Sequence, residues 1–403
     1  MKLLQIDSCL VTGSTGRITE SIAQLALSKG WECYIIHGAR FVKRPSCMTD
    51  IQSVSITGEY AHFVEGLLFD NHGLASRRAT RKVIEKIKEI KPDLIQLHCV
   101  HGYYLNYKIL FEYLNTTNIP VVWTFHDCWA FTGHCAHFVT VGCEKWKTGC
   151  HDCPLKKGYP KAFVDRSRRN YALKKELFCA NQNLHIVPVS DWVGDLTKQS
   201  FLKEKDMHVI RNGVDISVFK PTERKENAKI RVLGVSGVWT KSKGIDDFYR
   251  LRELLDKERY EIVLVGLSRE QMKDLPDGIR GIEHTESVQE LVEVYSSSDV
   301  FVNPTYADTF PTVNIEALAC GTPVITYRTG GSPEAVTPET GWVVEQGDIA
   351  GVAKIVENFG IRAESEVLAQ RTACRNRAVQ EFDRDKCFEK YLELYCSLLT
   401  KGV

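Results

Sequence analysis

Residues 300 to 327 read as a buried strand (Val300, Phe301, Val302), a loop holding Pro304, Asp308 and Pro311, a short apolar helix stopped by Gly321, and a second strand from Thr322 to Tyr327. Glycine just past a helix is the usual stop, because it takes the left-handed backbone conformation without steric cost. Two strands joined through a helix run parallel, and the crossover is right-handed. The order also aims the free amides and positive dipole end of the short helix above the strand ends, a position that suits a diphosphate. Glu316, a turn into that helix, is then placed to accept hydrogen bonds from a ribose diol.

The rest of the chain repeats this alternation. In the first half, strand signals at 3–7, 33–37, 94–98 and 121–125 alternate with helical ones at 18–29, 75–90 and 104–114, and strands at 186–189 and 208–211 follow. Residues 220–229, KPTERKENAK, have no apolar period and read as a linker. A second series opens with strands at 231–236 and 260–265 and runs into residues 300–327. The expected fold class is therefore α/β, with two Rossmann-like domains facing an interdomain cleft, residues 1–210 and 211–375. A helical period in the tail, 376–403, is carried by Val379, Phe382, Cys387, Tyr391 and Leu394.

With 403 residues there is room for two ordinary domains, and 52 Lys and Arg against 51 Asp and Glu leave no global field for nucleic acid. The first residues lack the apolar h-region of a signal peptide, and no run nears the ~20 apolar residues that span a bilayer, so a cytoplasmic protein is expected. Of 14 cysteines, five crowd between Cys128 and Cys153. Without an export signal, disulfides explain that crowd less well than metal or buried thiols do. Cys135, Cys143, Cys150 and Cys153 have the spacing C-x7-C-x6-C-x2-C, whose closing pair suits a structural zinc. Buried thiols pinning a long loop are the other reading.

Three further groups carry chemistry. Lys243, in SGVWTKSKGIDDF, sits where a strand ends and a helix begins, and supplies positive charge for a departing diphosphate. His126 follows the strand 121–125 directly, where parallel strands open into a cleft, with Asp127 as an orienting partner. The turn Thr12-Gly13-Ser14-Thr15-Gly16-Arg17 allows close backbone approach to a ligand through Gly13 and Gly16. From Lys156 to Lys175 eight Lys and Arg residues interleave with Tyr159, Phe163 and Tyr171, a pattern suited either to anionic membrane or to solvent.

Asp308, the helix carrying Glu316 and the turn Gly330-Gly331-Ser332-Pro333-Glu334 resemble the donor-site signature of retaining glycosyltransferases of family 4 (group 1). In that signature two glutamates eight positions apart bracket the helix. Segments 97–106 and 124–154 resemble the bacterial surface-polysaccharide branch of the family, of colanic-acid and capsular type. The resemblance implies a GT-B fold, a donor domain in the second half and a C-terminal helix that crosses back to the first. It also implies that Glu316 binds ribose, Lys243 the diphosphate, the amides of Thr309, Phe310, Pro311, Thr312 and Val313 the phosphates, and Asp308 with His126 the donor sugar. Gly13 and Gly16 then lie near the donor phosphate or the acceptor. The family's front-face mechanism needs no catalytic metal, and the implied acceptor is a glycan or lipid-linked glycan, with peripheral contact to an anionic membrane. Two departures stand out: Asp308 replaces the first glutamate, and Val238 and Trp239 stand where an arginine precedes the family's lysine, leaving Lys241 as a substitute.

Two other functions fit parts of the chain. TGSTGR and Tyr104-x-x-x-Lys108 resemble an NAD-dependent nucleotide-sugar epimerase or dehydrogenase, although Thr19 stands where a third glycine is expected. A non-catalytic sugar-nucleotide binding protein would share the donor site and differ in forming no product.

Overall fold

The computed structural model describes residues 1–40, 45–223, 228–359 and 361–400; residues 224–227 of the expected linker lie outside the described residues. The chain divides into two compact units, Met1–Arg211 with Phe388–Val403, and Asn212–Cys387.

In the first unit the elements run β1 (Lys2–Ile6), α1 (Gly13–Ser28), β2 (Glu32–His37), β3 (Thr49–Gln52), α2 (Ile56–Phe69), α3 (Arg77–Ile90), β4 (Leu94–Leu97), α4 (Tyr107–Leu114), β5 (Val121–Phe125), α5 (Ser167–Ala180), β6 (Leu184–Pro188), α6 (Asp191–Lys198) and β7 (Asp206–Met207). The strands form one sheet in the order β3-β2-β1-β4-β5-β6-β7. Each pairing is parallel. Helices cover both faces of such a sheet, which is why β4 and β5 are buried at every position. The chain winds outward from β1 to β3 and then returns to lay β4 on the other side of β1. The loops after β1 and β4 therefore diverge, leaving a crevice at the carboxyl ends of those strands.

The second unit repeats the plan with β8 (Ile230–Val235), α7 (Ile245–Leu254), β9 (Tyr260–Val265), α8 (Arg269–Lys273), β10 (Ile279–Ile282), α9 (Val288–Ser297), β11 (Val300–Asn303), α10 (Thr312–Ala319), β12 (Val324–Tyr327), β13 (Gly341–Val344), α11 (Ile349–Phe359) and α12 (Glu364–Glu381). Its order is β10-β9-β8-β11-β12-β13, and the reversal falls between β8 and β11, where Val300 pairs with Val232 and Phe301 with Leu233. A last helix, α13 (Arg384–Thr400), starts in the second unit and ends among residues of the first.

Three expectations change. Helix α1 starts at Gly13, so the glycine turn is largely the helix's first turn; an added Cβ at Gly16 would come 3.1 Å from the Val11 nitrogen. The strand expected at 208–211 is instead the two-residue β7, since only His185 and Ile186 of β6 offer it partners. The tail is two helices, broken where Phe382 turns inward.

Candidate active site

The switch point of the second sheet brings Lys243 and Asp308 together. Lys243 ends the short turn 241–243 after β8, Asp308 lies in the loop after β11, and Nζ stands 2.6 Å from Oδ2. Two hydrogen bonds clamp these loops: Tyr306 N donates to Ser242 O at 2.8 Å and Thr305 Oγ1 to the same oxygen at 3.3 Å. Gly244 is required there, because its φ is +76° and a Cβ would fall 2.3 Å from the Pro304 oxygen. Lys241, expected as the substitute for the missing arginine, has a 90% exposed side chain, and its Nζ faces Asp246 at 3.7 Å.

Helix α10 opens beside this pair. Its N-cap is Pro311, so the expected row of phosphate-binding amides is corrected by one: proline has no N–H to give. Phe310 packs its ring on Phe382 at 5.8 Å, and its carbonyl accepts from Asn212. Thr309 lies in the loop just before the helix, and Thr312 and Val313 lie in its first turn, whose N–H groups have no intrahelical partner. Glu316 is buried, and its Oε2 accepts from Tyr295 Oη at 3.1 Å. Asn314, also buried, accepts from Asn303 at 2.8 Å and donates to Ser332 O at 3.3 Å, tying α10 to β11 and to the Gly330–Glu334 turn. Sequence reasoning missed Tyr295 and Asn314. Tyr295 falls on the apolar side of α9, where an aromatic reads as core.

In the first unit, His126 leaves the end of β5 and is oriented by His98 at the end of β4 rather than by Asp127: His98 Nδ1 and His126 Nε2 are 3.0 Å apart. Gln5 Nε2 donates to Thr19 O at 2.9 Å, which fixes the amide so that Oε1 faces His98 Nε2 at 3.0 Å. An amide oxygen only accepts, so His98 carries its proton on Nε2 and offers Nδ1 as a lone pair. His126 must then donate from Nε2, which leaves Nδ1 as the accepting nitrogen. Burial, opposed in part by Asp127, pushes the His126 imidazole down to about 4, so the ring is neutral near pH 7.

Asp127 belongs to a second chain. Its Oδ2 meets His101 Nε2 at 2.9 Å and its Oδ1 accepts from Trp129 N at 2.8 Å. Burial works to raise its carboxyl, but His101 and these hydrogen bonds win and hold it well below the usual carboxylate range. The epimerase-like pair is corrected: Tyr104 Oη is spent on Cys99 O at 2.9 Å and Lys108 faces Glu112 on the surface.

The four candidate zinc ligands line one cavity with His134, Trp146 and His151. Among the described residues, the group whose ligating atoms all lie within 4.8 Å of one another is a different one, His185, Asp206 and His208. One thiol has a backbone partner: Cys150 Sγ accepts from Gly133 N at 3.2 Å. The basic segment also changes. Lys174 is buried against Trp129, its Nζ donating to Trp129 O at 2.6 Å and Thr132 O at 3.0 Å, and Tyr171 is buried too. Lys157, Lys161, Arg168, Arg169 and Lys175 remain exposed.

Residues 15–218 match the family model described as Glycosyltransferase Family 4, and residues 229–359 match Glycosyl transferases group 1. The chain belongs to glycosyltransferase family 4. This glycosyltransferase is 23% identical over 428 residues to the colanic acid biosynthesis glycosyl transferase WcaC of Escherichia coli K12, covering 99% of this chain and 100% of that protein. It is 26% identical over 256 residues to the capsular polysaccharide biosynthesis glycosyltransferase CapM of Staphylococcus aureus, covering 58% and 66%. Sucrose-phosphate synthase from Thermosynechococcus elongatus superposes with a TM-score of 0.74 at 16% identity, over 99% of each chain. Anabaena HepE, solved with UDP-glucose, gives a TM-score of 0.65 at 16% identity over 98% of this chain and 100% of that one. The fold is thus the GT-B fold of these enzymes, and the epimerase alternative has no support. No described helix is long and apolar enough to cross a membrane.

Proposed function

We propose that this transferase moves a sugar from a nucleoside-diphosphate donor to a hydroxyl of a glycan or lipid-linked glycan in surface-polysaccharide synthesis, with retention at the anomeric carbon. The observation that carries the donor assignment is the convergence of Lys243, Asp308, the α10 N-terminus and Glu316 at one switch point. In this reading Glu316 binds the ribose diol. Lys243 and the first-turn amides take the diphosphate, and Asp308 holds Lys243 until the donor arrives. Asp308 and His126 are the proposed sugar contacts, and Gly13 and Gly16 the proposed phosphate or acceptor contacts. As the acceptor oxygen bonds to the anomeric carbon, the bond to the leaving diphosphate breaks and a phosphate oxygen takes the acceptor's proton. This route asks no base of the protein.

Thermal shift across UDP, GDP, ADP and CMP and their sugars tests the donor site. One base family should raise the melting temperature, and Lys243→Ala should weaken that nucleotide by about tenfold or more, the loss of a charge-assisted contact. A flat response to every nucleotide would sink the assignment.

The cysteine cavity is proposed to hold a structural zinc, because all four cysteines line it and a structural site takes a closed four-thiolate set. Protein purified without added metal should carry about one zinc per chain and lose stability with a chelator. A zinc-free, equally stable protein means buried thiols alone.

A further inference from the structure

The outer edge of the first sheet brings two histidines and an aspartate onto one face. The register of β6 and β7 sets His185 opposite Asp206, and His208, two residues past Asp206, returns to the same side because side chains alternate along an extended chain. Backbone bonds hold the chain extended beyond β7: His208 N donates to Ile186 O at 3.0 Å and Ile210 N to Pro188 O at 3.1 Å. Asp206 Oδ2 is the common point. His185 Nδ1 lies 3.1 Å from it and His208 Nε2 3.0 Å. The ligating atoms of the three residues all fall within 4.8 Å of one another.

These spacings are close to those around a metal ion, since ligands about 2.1 Å from a tetrahedral zinc stand roughly 3.4 Å apart. The site is open to solvent. The side chains of His185, His208 and Asp206 are 19, 40 and 53% exposed, so an ion can enter and keep water in its remaining positions. Among the described residues no lysine or arginine pairs with Asp206. Lys205, its neighbour in the chain, points elsewhere, its Nζ donating to Cys179 O at 2.9 Å and Asn181 O at 2.6 Å at the end of α5. A carboxylate only accepts, so the ring nitrogens that face it carry their protons, and each neutral ring ligates once that proton moves to its other nitrogen.

We infer that His185, Asp206 and His208 bind one divalent ion of the zinc, nickel or copper class at the edge of the first sheet. Two imidazoles and a carboxylate suit these ions, whereas magnesium and calcium take oxygen ligands. The ion acts as a clamp. Strand β7 is a two-residue edge strand, and tying Asp206 and His208 to His185 of β6 holds it, with residues 199–205 before it, against the sheet. The ion takes no part in transfer, because His185 is the second residue of β6 and the crevice of this unit opens at the opposite, carboxyl ends of the strands. The site is separate from the cysteine cavity, and it does not rest on the donor reading.

The untagged full chain is titrated with nickel(II) chloride by calorimetry and by thermal shift. It should bind one ion more than the double variant His185→Ala, His208→Ala, and that ion should raise the melting temperature by about a few degrees. Asp206→Asn leaves both imidazoles an oxygen to bond but removes the anionic ligand, and should weaken this binding by about tenfold or more. Cobalt(II) distinguishes the two metal sites: the difference between the spectra of the parent and the histidine variant should hold only the weak visible bands of nitrogen and oxygen ligands. Equal nickel binding by the parent and the histidine variant, unchanged affinity in Asp206→Asn, or an intense near-ultraviolet thiolate band in the cobalt difference would each overturn the proposal.

Discussion

Glu316→Gln is expected to lower transfer from the preferred nucleotide sugar by about two orders of magnitude, with the melting temperature changed little. A hydrogen bond to a charged group contributes about 1.5–3 kcal/mol, and roughly 1.4 kcal/mol is a factor of ten in rate or affinity. The amide keeps one acceptor, so Tyr295 Oη still finds a partner and the packing under α10 survives. What the substitution removes is the charge, together with the second oxygen that a diol needs. Alanine would be a poorer test, because it also removes the Glu316 oxygen that accepts from the buried Tyr295 hydroxyl. Steady-state product formation with the donor varied is the measurement. Turnover within threefold of the parent enzyme would remove Glu316 from the donor site, and a large fall in stability would recast it as a structural residue.

The first unit is expected to open before the second as the pH falls from 6.5 toward 4. Burial pushes His62 and His126 down to about 4 and holds His72 and His98 well below the ordinary value near 6.5. Within that window the unfolded chain binds these protons and the folded unit refuses them, so stability is present above it and lost as pH falls through it. Each such proton costs roughly 1.4 kcal/mol per pH unit. Asp7 works the other way. Burial raises its carboxyl to about 6, so below that value the folded state holds a proton that the unfolded chain lacks, and one histidine is offset. A net of three protons gives roughly 4 kcal/mol per pH unit. His72 adds a structural reason, since neither ring nitrogen has a hydrogen-bond partner among the described residues to steady the cation. The second unit has one histidine, His284, with a 68% exposed side chain. Hydrogen exchange followed by peptide mass spectrometry across this range reads the two units separately; simultaneous opening, or the second unit first, would refute the argument.

Much of the architecture was legible because parallel strands buried on both faces are continuous apolar runs, as at Val121–Phe125 and Tyr260–Val265. The segments after the strand ends carry Lys243 and Asp308 in loops and Glu316 in the helix that follows, at fixed places in the sequence. Short or half-exposed pieces were not legible. Strand β3 is exposed or half-buried throughout and β7 spans two residues, and neither leaves an apolar run to read. Gly13 and Gly16 disfavour helix locally and so read as a loop, yet α1 starts there, and its tight approach to Val11 explains Gly16.

By itself the sequence determined the alternation of parallel strands and helices, the two sheets, and the side-chain types at the second sheet's switch point. These are local properties, set by periodicity, by glycine's access to left-handed backbone, and by the position of an acid or lysine after a strand. Tertiary structure alone decided the partners. Lys243 meets Asp308 across 65 positions, Tyr295 reaches Glu316, and His98 rather than the adjacent Asp127 orients His126. It also decided that Lys174 of the basic segment would be buried and that α2 would face its apolar row, Ile56, Tyr60, Val64 and Leu68, outward. Periodicity shows which residues share a face. Which face turns inward depends on whether its polar groups find partners elsewhere in the chain: Glu59 finds Ala39 and Arg40 after β2, and His62 finds Gly73 and Ser76 before α3.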